Sequence, residues 1–319
     1  MRPEHKWVAD RRAGPRFAVN VQALADWPQL RATARKLEAA GFDAIFVPDH
    51  PLLMGDAWTT LAGIAEATEH VRLGTMVSCV AYRHPVVLAR IASDVDRISN
   101  GRVILGLGSG DMPWEFKRLG VDYGSAALRR ARLAETLAII QPLLAGERVT
   151  FKGEVFQVED VALEPRPVQN PIPILIAGGA HQTLRFVAQY ADASNLGAAS
   201  WAGGAFSADD IAERWSRLRT GCEEHARDFD TVLRTGIVNL VLAETDAAAR
   251  EKMGRMSPQL RTFFEGLVIP CTPEEGVAHV RRLLETGFQY IVFQGVDPET
   301  LELLTSSVLP KFRQAAATA

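Results

Sequence analysis

The stretch Phe42-Asp43-Ala44-Ile45-Phe46-Val47-Pro48-Asp49-His50 joins a short apolar run to an adjacent carboxylate and imidazole. The run from Phe42 to Val47 predicts a buried β-strand. In α/β proteins the functional groups gather at the carboxyl ends of the strands. Asp49 and His50 follow such an end directly, so we expect them at an active site.

Other apolar runs end in the same way, with small or polar residues after the last apolar position. The clearest are Leu105-Gly106-Leu107-Gly108-Ser109-Gly110-Asp111 and Ile174-Leu175-Ile176-Ala177-Gly178-Gly179. If these strands lie in one parallel sheet, their carboxyl ends meet at one edge. The sequence therefore predicts a single place to which many strand ends contribute.

The chain alternates strand and helix patterns along its length. Eight strands are predicted, at Phe17–Val21, Phe42–Val47, Arg72–Val77, Val103–Leu107, Ile174–Ala177, Ala193–Leu196, Thr235–Leu242 and Tyr290–Phe293. The first and last units echo each other, since Leu37-x-x-x-Gly41-Phe42-x-x-Ile45 and Leu283-x-x-x-Gly287-Phe288-x-x-Ile291 share one spacing. An alternating pattern with matching ends favours a closed (β/α)8 TIM barrel, an α/β fold, as a single domain over residues 1–319.

Two segments depart from the alternation. Residues 146–169 contain two short runs of β-forming residues around Lys152-Gly153, which predicts a hairpin inserted after the fourth βα unit. Residues 1–15 are polar, with no apolar stretch of the length a signal peptide needs, and they are interpreted as a flexible tail.

Composition excludes several classes of function. With 47% hydrophobic and 23% charged residues the chain is an ordinary globular protein, and a formal net charge of −3 gives no basic field for nucleic acid. No run is long and apolar enough to span a bilayer. Cys79, Cys222 and Cys271 have no Cys-x-x-Cys spacing, which favours buried thiols in a reducing cytoplasm.

A metal-dependent hydrolase is also disfavoured. His50, His70, His84 and His181 are scattered, without His-x-His or His-Glu-x-x-His spacing. We therefore predict no metal site.

A long series of motifs resembles the luciferase-like monooxygenase superfamily, and within it the branch that uses coenzyme F420, an 8-hydroxy-5-deazaflavin. The matching segments are Arg72–Val77, Tyr82–Pro85, Asp96–Arg102, Leu105–Gly110, Ala145–Glu147, Phe151–Gly153, Pro165–Gln169, Ile176–Gly179 and Tyr190–Asp192. The resemblance implies a barrel with an insertion after the fourth unit, a flavin-type cofactor at its carboxyl face, a small-molecule substrate and a homodimer.

The resemblance also assigns catalytic roles. His50 is expected beside the reactive carbon of the cofactor, with Asp49 orienting its imidazole and fixing the tautomer. Asp111 is expected to exchange a proton near the polar edge of the ring. From the residues alone, an Asp-His pair after a strand also fits a helix cap with a satisfied imidazole, and Asp111 also fits a turn after glycine.

The cofactor-binding residues follow from the same resemblance. The family places a non-prolyl cis peptide after the third strand, which by position is Met76–Val77. We expect Met76, Val77 and Ser78 to face the ring together with Gly108 and Ser109, and Asp49 to contact the cofactor as well. Gly178, Gly179 and Ala180 precede a predicted helix whose free N–H groups suit the cofactor phosphate. Arg185, one turn further, is expected to add a charged contact. Plain loop and surface roles also fit these residues.

Two alternatives stay open. An FMN-dependent monooxygenase of the same family would share the ring-binding motifs, and so would a protein that holds the cofactor without turnover. The substrate is not readable, because its determinants are expected in residues 51–57, 114–123 and 201–206, which carry no decisive motif.

Overall fold

The fold is built around a closed barrel of eight parallel strands. A computed structural model describes residues 4–22, 26–197, 207–255, 268–295 and 297–316. The barrel strands are Arg16–Asn20, Ala44–Val47, Arg72–Thr75, Val103–Gly108, Ile174–Ala177, Ala193–Leu196, Leu233–Leu242 and Tyr290–Gln294. The first strand pairs with the eighth, from Arg16 opposite Tyr290 to Asn20 opposite Gln294, which closes the sheet on itself. The predicted TIM barrel and its eight strands are confirmed.

Helices surround the barrel and return the chain between strands. They span Lys6–Ala9, Trp27–Ala39, Ala57–Ala67, Pro85–Ile98, Pro113–Leu119, Ala126–Leu144, His181–Tyr190, Ala208–Glu224, Asp246–Gly254, Pro273–Glu285, Pro298–Leu303 and Pro310–Ala316. Several start at a side-chain cap, as Asp26, Asp56 and Ser125 accept an amide hydrogen from the first turn. No helix in the described ranges is long and apolar enough to cross a membrane.

Among the described residues, four short strands lie outside the set of eight barrel strands. Ser78–Cys79 pairs with the end of the fourth barrel strand, and Val268–Cys271 pairs in parallel with the last residues of the seventh. Val149–Lys152 and Gln157–Val161 form an antiparallel pair after the fourth βα unit, where an insertion was predicted. The Glu135 carboxylate accepts the amide hydrogens of Glu154, Val155 and Phe156, and so anchors the turn of this hairpin to the barrel helix Ala126–Leu144.

The amino-terminal segment corrects the prediction of a flexible tail. Lys6–Ala9 is a helical turn, and Trp7 and Val8 are fully buried against the barrel interior. The indole Nε1 of Trp7 donates to Asp43 at 3.1 Å, and the hydroxyl of Tyr290 donates to the same carboxylate at 2.7 Å. The prediction failed because two apolar residues in a polar segment give no hydrophobic periodicity. A single tryptophan is nevertheless large enough to cover the amino-terminal end of a barrel.

Many of the residues that carry the family resemblance have structural roles. Asp96, fully buried, accepts from the backbone of Val103 and from the backbone and side chain of Gln169. Arg102 donates to backbone carbonyls of Ala65, Thr68 and Val71. These contacts tie helices and loops to strand ends, which explains why the motifs predict the barrel well.

The third and fourth barrel strands approach each other unusually closely near the carboxyl face. A Cβ atom on Gly106 would lie 2.0 Å from the carbonyl oxygen of Thr75, and one on Gly108 would lie 2.5 Å from Cγ2 of Val77. The Thr75 hydroxyl donates to the Gly106 carbonyl at 2.8 Å. The peptide bond between Met76 and Val77 is cis, as predicted. Glycine is required here because the backbones touch.

We expect Gly106→Ala to lower the free energy of unfolding by about 3 kcal/mol, since the added methyl group meets backbone that cannot move aside. Gly254→Ala is the matched control, because a Cβ there meets nothing within 4 Å. That change should alter stability by less than about 1 kcal/mol, in the stabilising direction. Chemical denaturation of both variants measures the difference, and equal stabilities would contradict the close-contact interpretation.

Candidate functional site

The carboxyl face of the barrel brings most of the predicted site residues together. Asp49 and His50 follow the second strand, Ser78 and Cys79 follow the third, and Asp111 follows the fourth. The Cys79 amide donates to the Asp49 carboxylate at 3.2 Å, which joins the second and third strand ends. Burial, together with the charges of Asp49, Asp111 and Glu115, raises the pKa of the Cys79 thiol to about 12. The face is thus rich in negative charge.

The imidazole of His50 is held by Glu115, a residue that the sequence did not single out. Nδ1 of His50 lies 3.0 Å from Oε2 of Glu115, and the hydroxyl of Tyr82 donates to the same oxygen at 2.9 Å. The other carboxylate oxygen accepts the amide hydrogen of Leu52 at 3.0 Å. Glu115 is fully buried, while 19% of the His50 side chain is exposed. His50 is therefore a reachable imidazole backed by a buried carboxylate.

The expected orienting role of Asp49 is wrong. Its Oδ2 instead accepts from Arg83 Nη1 at 2.6 Å, and the second Arg83 nitrogen pairs with Asp56 at 2.6 Å. Burial raises the pKa of Asp49, and the Arg83 charge opposes that shift. Asp49 and His50, although adjacent in the chain, therefore have different partners. Asp49 is half of a buried ion pair beside the third strand.

Asp111 lies at the same face and remains accessible to solvent. Desolvation by the surrounding protein raises its pKa, the nearby His50 lowers it, and Glu115 raises it. A carboxyl group that is reachable, close to an imidazole and inclined to hold its proton is suited to proton exchange. The predicted role of Asp111 stays a prediction.

The residues expected to face the cofactor ring divide into two groups. Ser78 is fully buried and its hydroxyl accepts from the indole of Trp58 at 3.0 Å, so its side chain has a packing role. Met76 is also buried, with its sulfur 3.1 Å from Nδ2 of Asn195 on the sixth strand. Val77, Gly108 and Ser109 are next to one another across the close strand contact. At these residues a ligand would therefore meet mainly backbone atoms, because the side chains of Met76 and Ser78 are already engaged in the interior.

The turn after the fifth strand contains the glycines that were predicted to bind a cofactor phosphate. Gly178 has φ of 127°, and its amide donates to the carbonyl of Asn195 at 2.9 Å. The helix His181–Tyr190 follows with Ala180 at its cap position, and the Ala180 side chain makes no cap hydrogen bond. Gly179 lies between these two residues. The amides at this helix start are thus available to a ligand.

Arg185 does not reach this turn. Its guanidinium pairs with Glu224 at 3.0 Å, at the end of the neighbouring helix Ala208–Glu224. The first turn of a helix and a residue one turn later share a face, which made Arg185 a reasonable candidate. The competing carboxylate on the adjacent helix directs the side chain away, so the predicted contact of Arg185 with a cofactor phosphate is wrong.

The mouth of the barrel, at the carboxyl ends of its strands, contains three buried oxygen atoms that accept no hydrogen bond within the described part of the chain. They are Oδ1 of Asp49, Asn20 and Asn195. Asn20 lies two positions after Ala18 on its strand, and Asn195 lies two positions after Ala193. Residues two apart on a strand point to the same face, and the two alanines face the barrel interior, so both asparagines do as well. Buried acceptors without partners are costly unless a ligand or water supplies the donor. The mouth is therefore built for a polar molecule.

Glu115 escaped sequence reasoning for a physical reason. In the sequence it is one acidic residue near the start of a short helix, Pro113–Leu119, where carboxylates are common on the surface. Only its complete burial distinguishes it, and burial follows from how that helix packs over the barrel mouth. The adjacent Phe116, also buried, gives a weak signal that this face of the helix points inward.

The raised pKa of Asp111 leads to a stability prediction. Between its ordinary value of 3.8 and the higher folded value, the folded state binds more protons, so stability falls as pH rises through that window. Asp111→Asn removes the loss, and we expect it to raise the free energy of unfolding at neutral pH, by a gain that shrinks as pH falls toward 3.8. Urea denaturation across this range measures the gain.

Asp209→Asn is the control for that experiment. Asp209 is exposed in the first turn of a helix, where its charge favours the helix dipole. The same chemical change there should slightly destabilise the protein at neutral pH. Lower stability of Asp111→Asn at neutral pH, or a gain independent of pH, would contradict a raised pKa of Asp111 in the folded protein.

Comparisons with known proteins place this architecture in a family. The F420-dependent glucose-6-phosphate dehydrogenase of Amycolatopsis mediterranei is 29% identical over 314 residues, covering 88% of this chain and 93% of that protein. The F420-dependent hydroxymycolic acid dehydrogenase of Mycobacterium tuberculosis is 30% identical over 315 residues, covering 89% and 84%. A solved monooxygenase from Streptomyces bottropensis has a TM-score of 0.78 at 20% identity, covering 93% and 99%, and so shares the fold.

The family profile described as luciferase-like monooxygenase matches residues 10–295, nearly the whole barrel. The match includes every strand of the barrel and the segments that carry Asp49, His50, Asp111 and Glu115. The chain belongs to the luciferase-like monooxygenase family.

Proposed function

We propose that the protein is an F420-dependent oxidoreductase that moves a hydride between the deazaflavin and an organic substrate of the alcohol–carbonyl type. One observation carries the proposal: a reachable imidazole, His50, stands on a buried carboxylate at the barrel mouth. Oxidising an alcohol requires a base for the hydroxyl proton, and this pair is suited to that task. The F420-dependent relatives, similar over almost the whole chain, support the choice of cofactor.

The residues at the mouth fit such a cofactor. A flat ring needs close backbone approach on one side, which the segment Met76–Val77 and the glycine-rich end of the fourth strand supply. A phosphate needs amide donors, which the helix start after Gly178 supplies. The unpartnered oxygens of Asn20 and Asn195 suit the donor groups of a polar heterocycle. We propose these residues as the holders of F420.

The chain's own groups handle the proton. When bound, the deazaflavin supplies the hydride acceptor or donor. His50 Nε2 takes the proton of the substrate hydroxyl in the oxidising direction and returns it in the reducing direction, which balances the hydride that leaves or enters the carbon. Asp111 provides a second proton site, because desolvation favours its protonated form. Tyr82 and Phe116, with ring centroids 5.0 Å apart, form an aromatic wall beside Glu115.

The rival function uses FMN and oxygen. A deazaflavin has carbon where flavin has the nitrogen that stabilises adducts with oxygen, so it serves as a hydride carrier. Likeness in fold to a monooxygenase does not separate the two cofactors, because both suit the same barrel mouth. The F420-dependent relatives are the reason for proposing F420 and not FMN as the cofactor.

Finer features stay predictions. The curated relatives act on different substrates by name, a phosphorylated sugar and a hydroxymycolic acid, so the substrate is not transferred. Of the three segments expected to set it, residues 201–206 lie outside the described residues. Residues 114–123 include Trp114, which is 40% exposed beside the mouth. The homodimer and the cytoplasmic location are likewise predictions.

Cofactor titration tests the proposal. Quenching of the fluorescence of the six tryptophans, followed during titration with each cofactor, should show a lower dissociation constant for F420 than for FMN. Reduced F420 should then be oxidised by a carbonyl substrate without oxygen uptake. Tighter binding of FMN with substrate-dependent oxygen uptake would assign the protein to the monooxygenases. Tight F420 binding without turnover on a broad panel of alcohols and carbonyls would indicate a cofactor carrier.

A further inference from the structure

Glu115 is the most completely buried acid at the barrel mouth, and three groups converge on it. The Leu52 amide approaches Oε1 at 3.0 Å, while the Tyr82 hydroxyl and the His50 ring nitrogen Nδ1 approach Oε2 at 2.9 and 3.0 Å. A buried carboxylate is stable only when its oxygens are paired in this way. The two oxygens therefore face one backbone donor, one hydroxyl and one imidazole.

The hydrogen-bond roles in this cluster start from one obligatory donor. A backbone amide can only donate, so Oε1 of Glu115 must accept. An ionised carboxylate accepts at both oxygens, and Tyr82 then donates to Oε2. The charge of Glu115 and its hydrogen bond contribute, after burial, to a raised pKa of Tyr82, which keeps that hydroxyl a donor. With Glu115 as acceptor, the hydrogen of a neutral His50 lies on Nδ1.

We propose that Glu115 is a positioning residue that fixes His50 as the Nδ1–H tautomer and leaves Nε2 free to exchange the substrate proton. The use of Nε2 rests on the proposed function, whereas the tautomer is a property of the protein alone. Other ionisable groups face the same region, namely Asp111, Asp49, Cys79 and Tyr82. Among these, Glu115 is the group in hydrogen-bond contact with the His50 ring in the described structure.

Two other histidines serve as internal references with the opposite tautomer. Nδ1 of His5 accepts the amide hydrogen of Trp7 at 3.0 Å, and Nδ1 of His84 accepts that of Val86 at 3.3 Å. An accepting Nδ1 carries no hydrogen, so both neutral rings must be Nε2–H. One spectrum of the chain's seven histidines thus contains both patterns.

The test uses long-range ¹H–¹⁵N NMR of histidine-labelled protein without cofactor, at a pH where the rings are neutral. His50→Asn identifies the His50 signals. We expect the Nδ1–H pattern for His50 and the Nε2–H pattern for His5 and His84. An Nε2–H pattern for His50 in the wild-type protein would overturn the proposal, whatever any variant does.

Glu115→Gln sharpens the test. The Leu52 amide keeps the carboxamide oxygen on its own side, which turns the NH₂ group toward His50 and makes Nδ1 an acceptor. We expect His50 to change to the Nε2–H tautomer, while His5 and His84 keep theirs. In Tyr82→Phe the ring remains against Phe116 and His50 should keep the Nδ1–H form. An unchanged His50 tautomer in folded Glu115→Gln would contradict the proposal.

Kinetics separate this proposal from the proposed function. Glu115→Gln should lower the hydride-transfer rate roughly 10²- to 10⁴-fold, as expected when a catalytic imidazole holds the wrong tautomer. Cofactor affinity should change less than about twofold, because the loss is confined to the reaction step. If F420 does not bind at all, the proposed function fails and the tautomer result still decides the role of Glu115. If F420 binds and Glu115→Gln retains full rate, the positioning role fails alone.

Discussion

The backbone contact between Gly106 and Thr75 constrains both the barrel and its mouth. A Cβ atom on Gly106 would come within 2.0 Å of the Thr75 carbonyl oxygen, so no other residue type fits. This close approach brings the Ser78–Cys79 strand against the end of the fourth barrel strand. The Cys79 amide then meets Asp49, which holds Arg83. A steric requirement at one glycine thus propagates to the charged groups that surround the site.

The mouth concentrates acidic groups at a cost in stability. Burial raises the pKa of Asp49, desolvation by the surrounding protein raises that of the solvent-accessible Asp111, and Glu115 is fully buried beside them. Arg83 balances Asp49, and His50 is the partner of Glu115. Asp111 is in no ion pair among the described contacts. Proteins tend to keep destabilising charged groups only where they are used. The concentration of such carboxylates at the barrel mouth therefore indicates a functional site there.

Much of the fold was predictable because its signals are local. Each barrel strand is a short apolar run, and the matching Gly41 and Gly287 both have positive φ, at 74° and 95°, so the echo between first and last units reflects equivalent turns. The site was less predictable. The residues at strand ends could be named, but the partner of His50 could not, because the approach of Glu115 depends on the packing of a helix 65 positions away.

The errors have the same origin. Trp7 lies in a polar segment and is buried only because the open end of the barrel receives it. Arg185 follows a suitable helix start and is directed away by Glu224 of the next helix. Each outcome depends on contacts between elements distant in sequence, which hydrophobic periodicity does not encode. Backbone geometry after the third and fifth strands was easier to anticipate, since the glycines that permit it are visible in the sequence.

A crystal structure of the protein with F420 tests the central claim most directly. We expect the deazaflavin ring against the Met76–Val77 peptide, its reactive carbon within reach of His50, and the phosphate on the amides that follow Gly178. The imidazole should still contact Glu115 through Nδ1. A ring bound elsewhere, or a phosphate held on another surface with the Gly178 turn unused, would contradict it.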